Sequence, residues 1–279
     1  MKRETFTNRI QSSKRIIIKV GSARLSGNTN EINDFLFSLA GDIRELRESG
    51  KKVILVSSGA IAQGKKLITE FEWIKNTTSS TSAKQALAAM GQSRLMNLYE
   101  GIFSRANIPI AQILFGTLDV ENPKGYDNLE NTFNQLLDWN VLPIVNENDS
   151  IATEELKLGD NDILSALVTL LVGGDLLVIL TGVDGFLRNG KKVSFMDKVT
   201  DLDLLEAKGP EGPGTGGMNT KLKAGKILLE AGIPTVILNG KEMHAIKKIF
   251  SENKNGTLLA NSEKRNLNSK EIKQLFGLK

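Results

Sequence analysis

Four stretches of the sequence concentrate side chains that can do chemistry. The first is Lys19-Val20-Gly21-Ser22, at the end of an apolar run. A lysine at the carboxyl end of a buried strand is costly unless it meets an anion. The glycine behind it lets backbone approach a ligand closely, with the next N–H groups free to face an oxyanion. The bland alternative is a strand-end lysine reaching for solvent. The second stretch, Val56-Ser57-Ser58-Gly59-Ala60-Ile61, places two hydroxyls and a glycine where a strand gives way to a helix. That is the usual ligand crevice of a parallel sheet, although Ser-Gly is also ordinary turn chemistry.

The third is the densest polar cluster, Asn146-Glu147-Asn148-Asp149-Ser150 followed by Gly159-Asp160-Asn161-Asp162 ahead of a strongly apolar helix. One of these residues can be a plain helix N-cap. A cap accounts for one side chain, and the remaining amides and carboxylates suit the ammonium and carboxylate groups of an amino acid. The fourth, Thr215-Gly216-Gly217-Met218-Asn219-Thr220-Lys221, leads into a helix whose first N–H groups can meet a polyphosphate, with Lys221 adding charge one turn in. Its bland reading is a flexible connection with a surface lysine. Other phosphate signatures fail. There is no GxxxxGK[ST], and the literal GxGxxG at Gly212, Gly214 and Gly217 contains Pro213 and follows no strand.

The elements needed to position these groups follow from periodicity. Short runs rich in Val, Ile and Leu predict strands at Arg15–Val20, 52–56, 108–115, 141–145, 176–180 and 235–238. Ile32, Phe35, Leu36, Leu39, Ile43 and Leu46 recur at helical spacing and stop at Gly50. Further helices are expected at 82–106, 127–139, 162–172, 219–231 and 241–250. Strands alternating with helices point to an α/β fold on a mostly parallel sheet. With neither a repeat nor a linker, residues 15–260 read as one domain. The segments 76–82 and 208–217 are polar or glycine-rich and too long for tight turns, so they are candidate lids.

Composition narrows the chemistry. The 279 residues contain no cysteine and one histidine, His244, which excludes disulfides, thiolate sites and cysteine nucleophiles and leaves no basis for a histidine triad. No apolar run approaches the roughly 20 residues that cross a bilayer, and the amino terminus lacks a signal-peptide core. The expectation is a soluble, cytoplasmic protein with no membrane partner. A net charge of +4 suits an anionic substrate. Lys264, Arg265, Lys270, Lys273 and Lys279 form a basic tail at 261–279, read as solvated. Aromatics make up only 5% and none alternates with basic residues, so no nucleic-acid partner is expected.

Taken in order, KVGS at 19–22, VSSGAIAQG at 56–64, SAKQALAAMGQSRLM at 82–96, VLPIVNENDSIA at 141–152, KLGDNDILSAL at 157–167 and GTGGMNTKLKAG at 214–225 resemble the amino acid kinase family. The resemblance covers nearly all of 15–260, and its nearest branch is the one that phosphorylates glutamate on the way to proline. It implies a three-layer αβα sandwich with an open, mainly parallel sheet, glutamate on the amino-terminal half and ATP on the carboxyl-terminal half. It further implies that Lys19 contacts the transferring phosphoryl group and that Asp162 orients the two lysines, Lys19 and Lys221. Ser58, Asp149 and Asn161 would hold L-glutamate, with Asp160 nearby. Thr181, Gly182 and the run Thr215, Gly216, Gly217, Met218, Asn219, Thr220 and Lys221 would line the ATP site, with Mg²⁺ accompanying the nucleotide and no protein metal ligand expected. Proline would be a feedback inhibitor, and a homo-oligomer is expected. Two departures stand out: Gly182 occupies a position that is commonly acidic, and the PUA domain that many members carry is not expected here. The rival readings are a sister kinase for another acid, an amino-acid sensor without catalysis, and an RNA-binding surface whose affinity would fall steeply with salt.

Overall fold

A computed structural model describes residues 2–71, 80–152, 160–207, 216–252, 254–263 and 265–278. Its strands are β1 (Arg15–Val20), β2 (Lys52–Ser57), β3 (Ile110–Phe115), β4 (Leu142–Glu147), β5 (Leu176–Thr181), β6 (Leu187–Arg188), β7 (Lys191–Lys192), β8 (Phe195–Met196), β9 (Thr235–Asn239) and β10 (Thr257–Leu259). Eight of these form one sheet in the order β3-β4-β2-β1-β5-β9-β10-β8, while β6 and β7 make a separate hairpin. The pairings are parallel from β3 through to β9, and β10 runs antiparallel to β9. The chain therefore steps outward from β1 to β2 and later returns to β5 on its other side. That reversal opens a crevice at the carboxyl ends of the central strands.

The helices are α1 (Thr7–Gln11), α2 (Thr29–Glu48), α3 (Ala60–Phe71), α4 (Thr81–Phe103), α5 (Thr117–Glu121), α6 (Pro123–Asp138), α7 (Asn161–Leu171), α8 (Asp201–Glu206), α9 (Met218–Glu230), α10 (Ala245–Ser251) and α11 (Ser269–Leu275). Side chains alternate across a strand, so each strand feeds two cores. Ile16, Ile18, Val20, Val53 and Leu55 pack with Phe35 and Leu39 of α2, Leu95, Tyr99 and Phe103 of α4, and Ile246 and Ile249 of α10. On the other face Ile17, Ile54, Val56, Leu177 and Ile179 pack with Phe133 of α6, Leu164, Leu167 and Val168 of α7, and Leu228 of α9. This is the expected three-layer αβα arrangement. No described helix is long and apolar enough to cross a membrane.

The six expected strands are all present, β1 with the same bounds and the others shifted or extended at an end. Two helices depart from expectation. The one expected at 127–139 begins at Pro123, because Asn122 accepts from the N–H groups of Lys124 and Gly125 and the proline needs no N–H of its own there. The one expected at 241–250 begins at Ala245, because His244 takes a left-handed φ of 54°. The basic tail also differs from a solvated one. Asn268 and Glu271 cap each other's backbone at the start of α11, and Ile272 lies 4% exposed against the second core.

Two glycines set how closely α3 and α4 approach. A Cβ on Gly64 would fall on the Leu87 carbonyl, and one on Gly91 on the Ala60 carbonyl. The helices thus touch backbone to backbone directly after β2, where the Ser57-Ser58-Gly59 turn begins.

Candidate active site

Lys19 shares the face of β1 with Ile17, so it projects toward α7 and α9 at the carboxyl end of the strand. It is only 3% exposed, and the anion its burial demands is the fully buried carboxylate of Asp162 in the first turn of α7. Lys19 Nζ stands 2.7 Å from Asp162 Oδ1. Lys221, one turn into α9 and also buried, approaches from the opposite side with Nζ 3.3 Å from Asp162 Oδ2. Thr220 Oγ1 donates to that same oxygen at 2.7 Å. Lys221 also donates to the carbonyls of Gly216 and Gly217, at 3.1 and 3.2 Å. Burial would push the Asp162 carboxyl up, but the charges of Lys19 and Lys221 outweigh it and hold the group below the usual carboxylate range.

Asp160 is the N-cap of α7, accepting from the Asp162 N–H at 3.0 Å. It also stands 3.7 Å from Lys19 Nζ. Its carboxylate packs directly on Gly216, where a Cβ could not fit. One residue thus serves as the plain cap and as part of the charged cluster.

A second polar group adjoins the first on the β2 and β4 side. Asn161 Nδ2 lies 2.8 Å from Ser58 Oγ, 3.0 Å from the Ser57 carbonyl and 3.0 Å from Asn146 Oδ1. Asn146 in turn donates to Gln92 Oε1 of α4 at 3.0 Å. The other amide atom of Asn161, Oδ1, is buried and has no hydrogen-bond partner among the described residues. A buried acceptor left over in an otherwise satisfied network is one that a ligand's donor can complete. Next to this group opens a cavity of about 240 Å³, lined by Gln92, Gln112, Glu147, Asn148, Asp149 and Ser150 among others.

The expected site residues thus fall into two neighbouring groups. Lys19, Asp160, Asp162, Gly216, Gly217, Thr220 and Lys221 meet around one carboxylate, and Ser58 and Asn161 meet beside them, with Asp149 on the adjoining cavity. Thr181 ends β5 on the same edge of the sheet, buried, with its carbonyl accepting from Gly240 N–H, and Gly182 follows it half-buried. Met218 and Asn219 point elsewhere. Met218 packs in a small core with Phe186 and Leu222, and Asn219 donates to the carbonyls of Leu204 and Ala207. Thr215, and most of the segments 76–82 and 208–217, lie outside the described residues. Asn146 belongs to the polar cluster singled out in the sequence, but its partner Gln92 is not an expected site residue. No sequence spacing relates an amide in the middle of α4 to one near the end of β4.

The profile of the Amino acid kinase family matches residues 14–239. Glutamate 5-kinase of Geobacter metallireducens is 42% identical over 258 residues, covering 89% of this chain and 68% of that protein. Glutamate 5-kinase of Dictyoglomus turgidum is 40% identical over 274 residues, covering 95% and 72%. Among solved structures, N-acetylglutamate synthase from Neisseria gonorrhoeae, complexed with coenzyme A and N-acetyl-glutamate, superposes with a TM-score of 0.64 at 16% identity, over 94% of this chain and 62% of that one. Carbamate kinase from Giardia lamblia bound to AMP-PNP gives 0.62 at 18% identity, over 90% and 100%. At such identities the two structures speak for the fold alone.

Proposed function

Because the chain belongs to the amino acid kinase family, we propose that it transfers the terminal phosphoryl group of ATP to the side-chain carboxylate of L-glutamate, forming L-glutamyl 5-phosphate at the head of proline biosynthesis. One observation carries the reading: two lysines far apart in sequence, Lys19 and Lys221, converge on the single buried carboxylate of Asp162.

A glutamate carboxylate is ionised at pH 7 and is already a nucleophile, so the reaction needs no general base. The obstacle is electrostatic, since two anions must be brought together. Lys19 and Lys221 neutralise charge on the β- and γ-phosphate oxygens while a carboxylate oxygen attacks phosphorus in line and the bond to the β-phosphate oxygen breaks, releasing ADP. Asp162 is the positioning residue that holds both ammonium groups in place. Ser58, Asn161 and Asp149 hold the amino acid. The unpaired Asn161 Oδ1 and the Asp149 carboxylate are both suited to its ammonium group. Asp160 fixes the start of α7 and lies close to Lys19, and Gly216, Gly217, Thr181 and Gly182 line the nucleotide side.

Among the described residues no cluster of three acidic or histidine side chains could hold a metal ion, and both Asp162 oxygens already have protein partners. In this reading magnesium arrives with the nucleotide as MgATP, where its charge would add to that of Lys19 and Lys221. Residues 15–260 act as one unit in this reading, glutamate on one half and nucleotide on the other. Proline inhibition and self-association rest on the family resemblance alone.

The test is trapping of the acyl phosphate by hydroxylamine. Protein, MgATP and glutamate should yield hydroxamate, and acetylglutamate, aspartate, carbamate or a nucleoside monophosphate in place of glutamate should give far less turnover. Lys19→Ala should lower kcat by roughly 10²–10³ with the fold intact by circular dichroism. Turnover with another acceptor but none with glutamate, or an unchanged kcat in Lys19→Ala, overturns the reading.

A further inference from the structure

The turn after β2 presents Ser58 to Asn161 on the α7 side of the sheet, but part of what holds that turn lies on the opposite side. Ser57 shares the face of Val53 and Leu55, pointing away from α7 into the core formed with α2 and α4. It is fully buried, as is Tyr99 of α4. Their hydroxyl oxygens are 2.9 Å apart, and Ser57 Oγ also lies 3.1 Å from the carbonyl oxygen of Ser58. A carbonyl cannot donate, so the Ser57 proton goes to the Ser58 carbonyl, and Tyr99 must then be the donor to Ser57. Burial raises the Tyr99 phenol above its ordinary range, which keeps that proton in place. The next residue, Gly59, has a φ of 105°, where a side chain would add strain, so the backbone turns sharply from the Ser58 carbonyl into α3.

We propose that Tyr99 and Ser57 are positioning residues for the acid acceptor: a buried hydroxyl relay, running from Tyr99 through Ser57 to the Ser58 carbonyl, fixes the peptide whose side chain meets Asn161. One hydroxyl relay behind the sheet thereby sets the orientation of the polar group in front of it. The inference rests on the reading that Ser58 and Asn161 hold the acceptor. It adds two side chains that touch neither substrate and act through the peptide alone.

The experiment compares Ser57→Ala, Tyr99→Phe, the double variant and Asn161→Ala, reading kcat, KM for glutamate, KM for ATP and melting temperature. Ser57→Ala frees the Ser58 carbonyl and should raise the glutamate KM about fivefold to tenfold, the scale of one lost hydrogen bond. Its ATP KM should stay within about twofold of wild type. Tyr99→Phe leaves the Ser57–Ser58 bond in place and should have a smaller effect on the same constant. The double variant should match Ser57→Ala in glutamate KM, because the phenol acts only through Ser57. It should also melt above Ser57→Ala, because the phenol that variant leaves buried without a partner is gone.

A glutamate KM unchanged in Ser57→Ala while Asn161→Ala raises it refutes the relay and leaves the acceptor reading standing. Additive KM effects in the double variant, or equal rises in both KM values, also refute it. An Asn161→Ala protein with an unchanged glutamate KM removes the acceptor reading and the relay with it. If Ser57→Ala does not fold, an unchanged glutamate KM in Tyr99→Phe counts against the relay and a selective rise supports it.

Discussion

Replacing Asp162 with asparagine keeps the shape of the side chain and removes the charge on which two buried ammonium groups rely. At 2.7 and 3.3 Å, in an effective dielectric of about 20, the two attractions amount to roughly 6 and 5 kcal/mol before desolvation is subtracted. The variant forfeits both, yet Lys19 and Lys221 stay buried. The net loss should therefore match that of breaking a buried ion pair, about 3–5 kcal/mol. For a chain of this size that lowers Tm by roughly 10 °C. Circular dichroism melts would read the shift, and initial rates should fall by roughly 10²–10³ as the lysines lose their orientation. The pH dependence has a definite sign. The folded carboxyl titrates below its unfolded value, so its stabilisation is complete above an unfolded pKa of about 3.9 and is lost as pH falls through the folded value. The gap between wild type and Asp162→Asn should hold from pH 8 to 5 and close under strong acid. A variant melting within about 2 °C of wild type, with kcat within about threefold, would refute the idea that one carboxylate organises both cations.

The two tyrosines of the chain offer an optical check on burial, because Tyr126 is pushed up to about 12 by burial and then by Glu130 and Asp127, and Tyr99 is raised as well. Ultraviolet titration of the folded protein should show no tyrosinate step near pH 10, and the stability that the Tyr126 phenol contributes should disappear as pH rises through about 12. A half-titrated tyrosine at pH 10 in folded protein would contradict that burial. Gly91→Ala would push a methyl onto the Ala60 carbonyl, so it should cost about 1–3 kcal/mol in urea unfolding and, through the start of α3, raise the glutamate KM. Wild-type values for both would mean that α3 and α4 need no glycine contact.

Much of this architecture is written in local patterns. The central strands are buried on both faces, so they appear as continuous apolar runs, and Lys19 stood out because it breaks one of them. Asp162 and Lys221 stood near helix starts, where charge has a local physical meaning. What periodicity could not show were meetings between distant elements: the Gln92–Asn146 pair, the Ser57–Tyr99 pair, and the backbone contact of Gly64 and Gly91. The short strands β8 and β10 escaped because two or three residues carry no period. The helix α11 escaped because Lys270 and Lys273 masked the apolar face formed by Ile272, Leu275 and Phe276. The start of α6 is marked by Asn122 and Pro123, a cap and a first-turn proline, and not by the apolar residues that follow them.

The shared strand at the middle of the sheet has a mechanical meaning. Val20 at the end of β1 stands in register with Ser57 on one flank and with Leu180 on the other. Neighbouring strands lie about 4.8 Å apart, so the anchor points of the two halves are separated by roughly 10 Å and tied through a common rigid rail. A protein built from two hinged lobes can change such a spacing by swinging one lobe. Here that movement would require unzipping a ladder in the middle of the molecule. The spacing between the carboxyl ends of β2 and β5 is thus set once, when the chain folds.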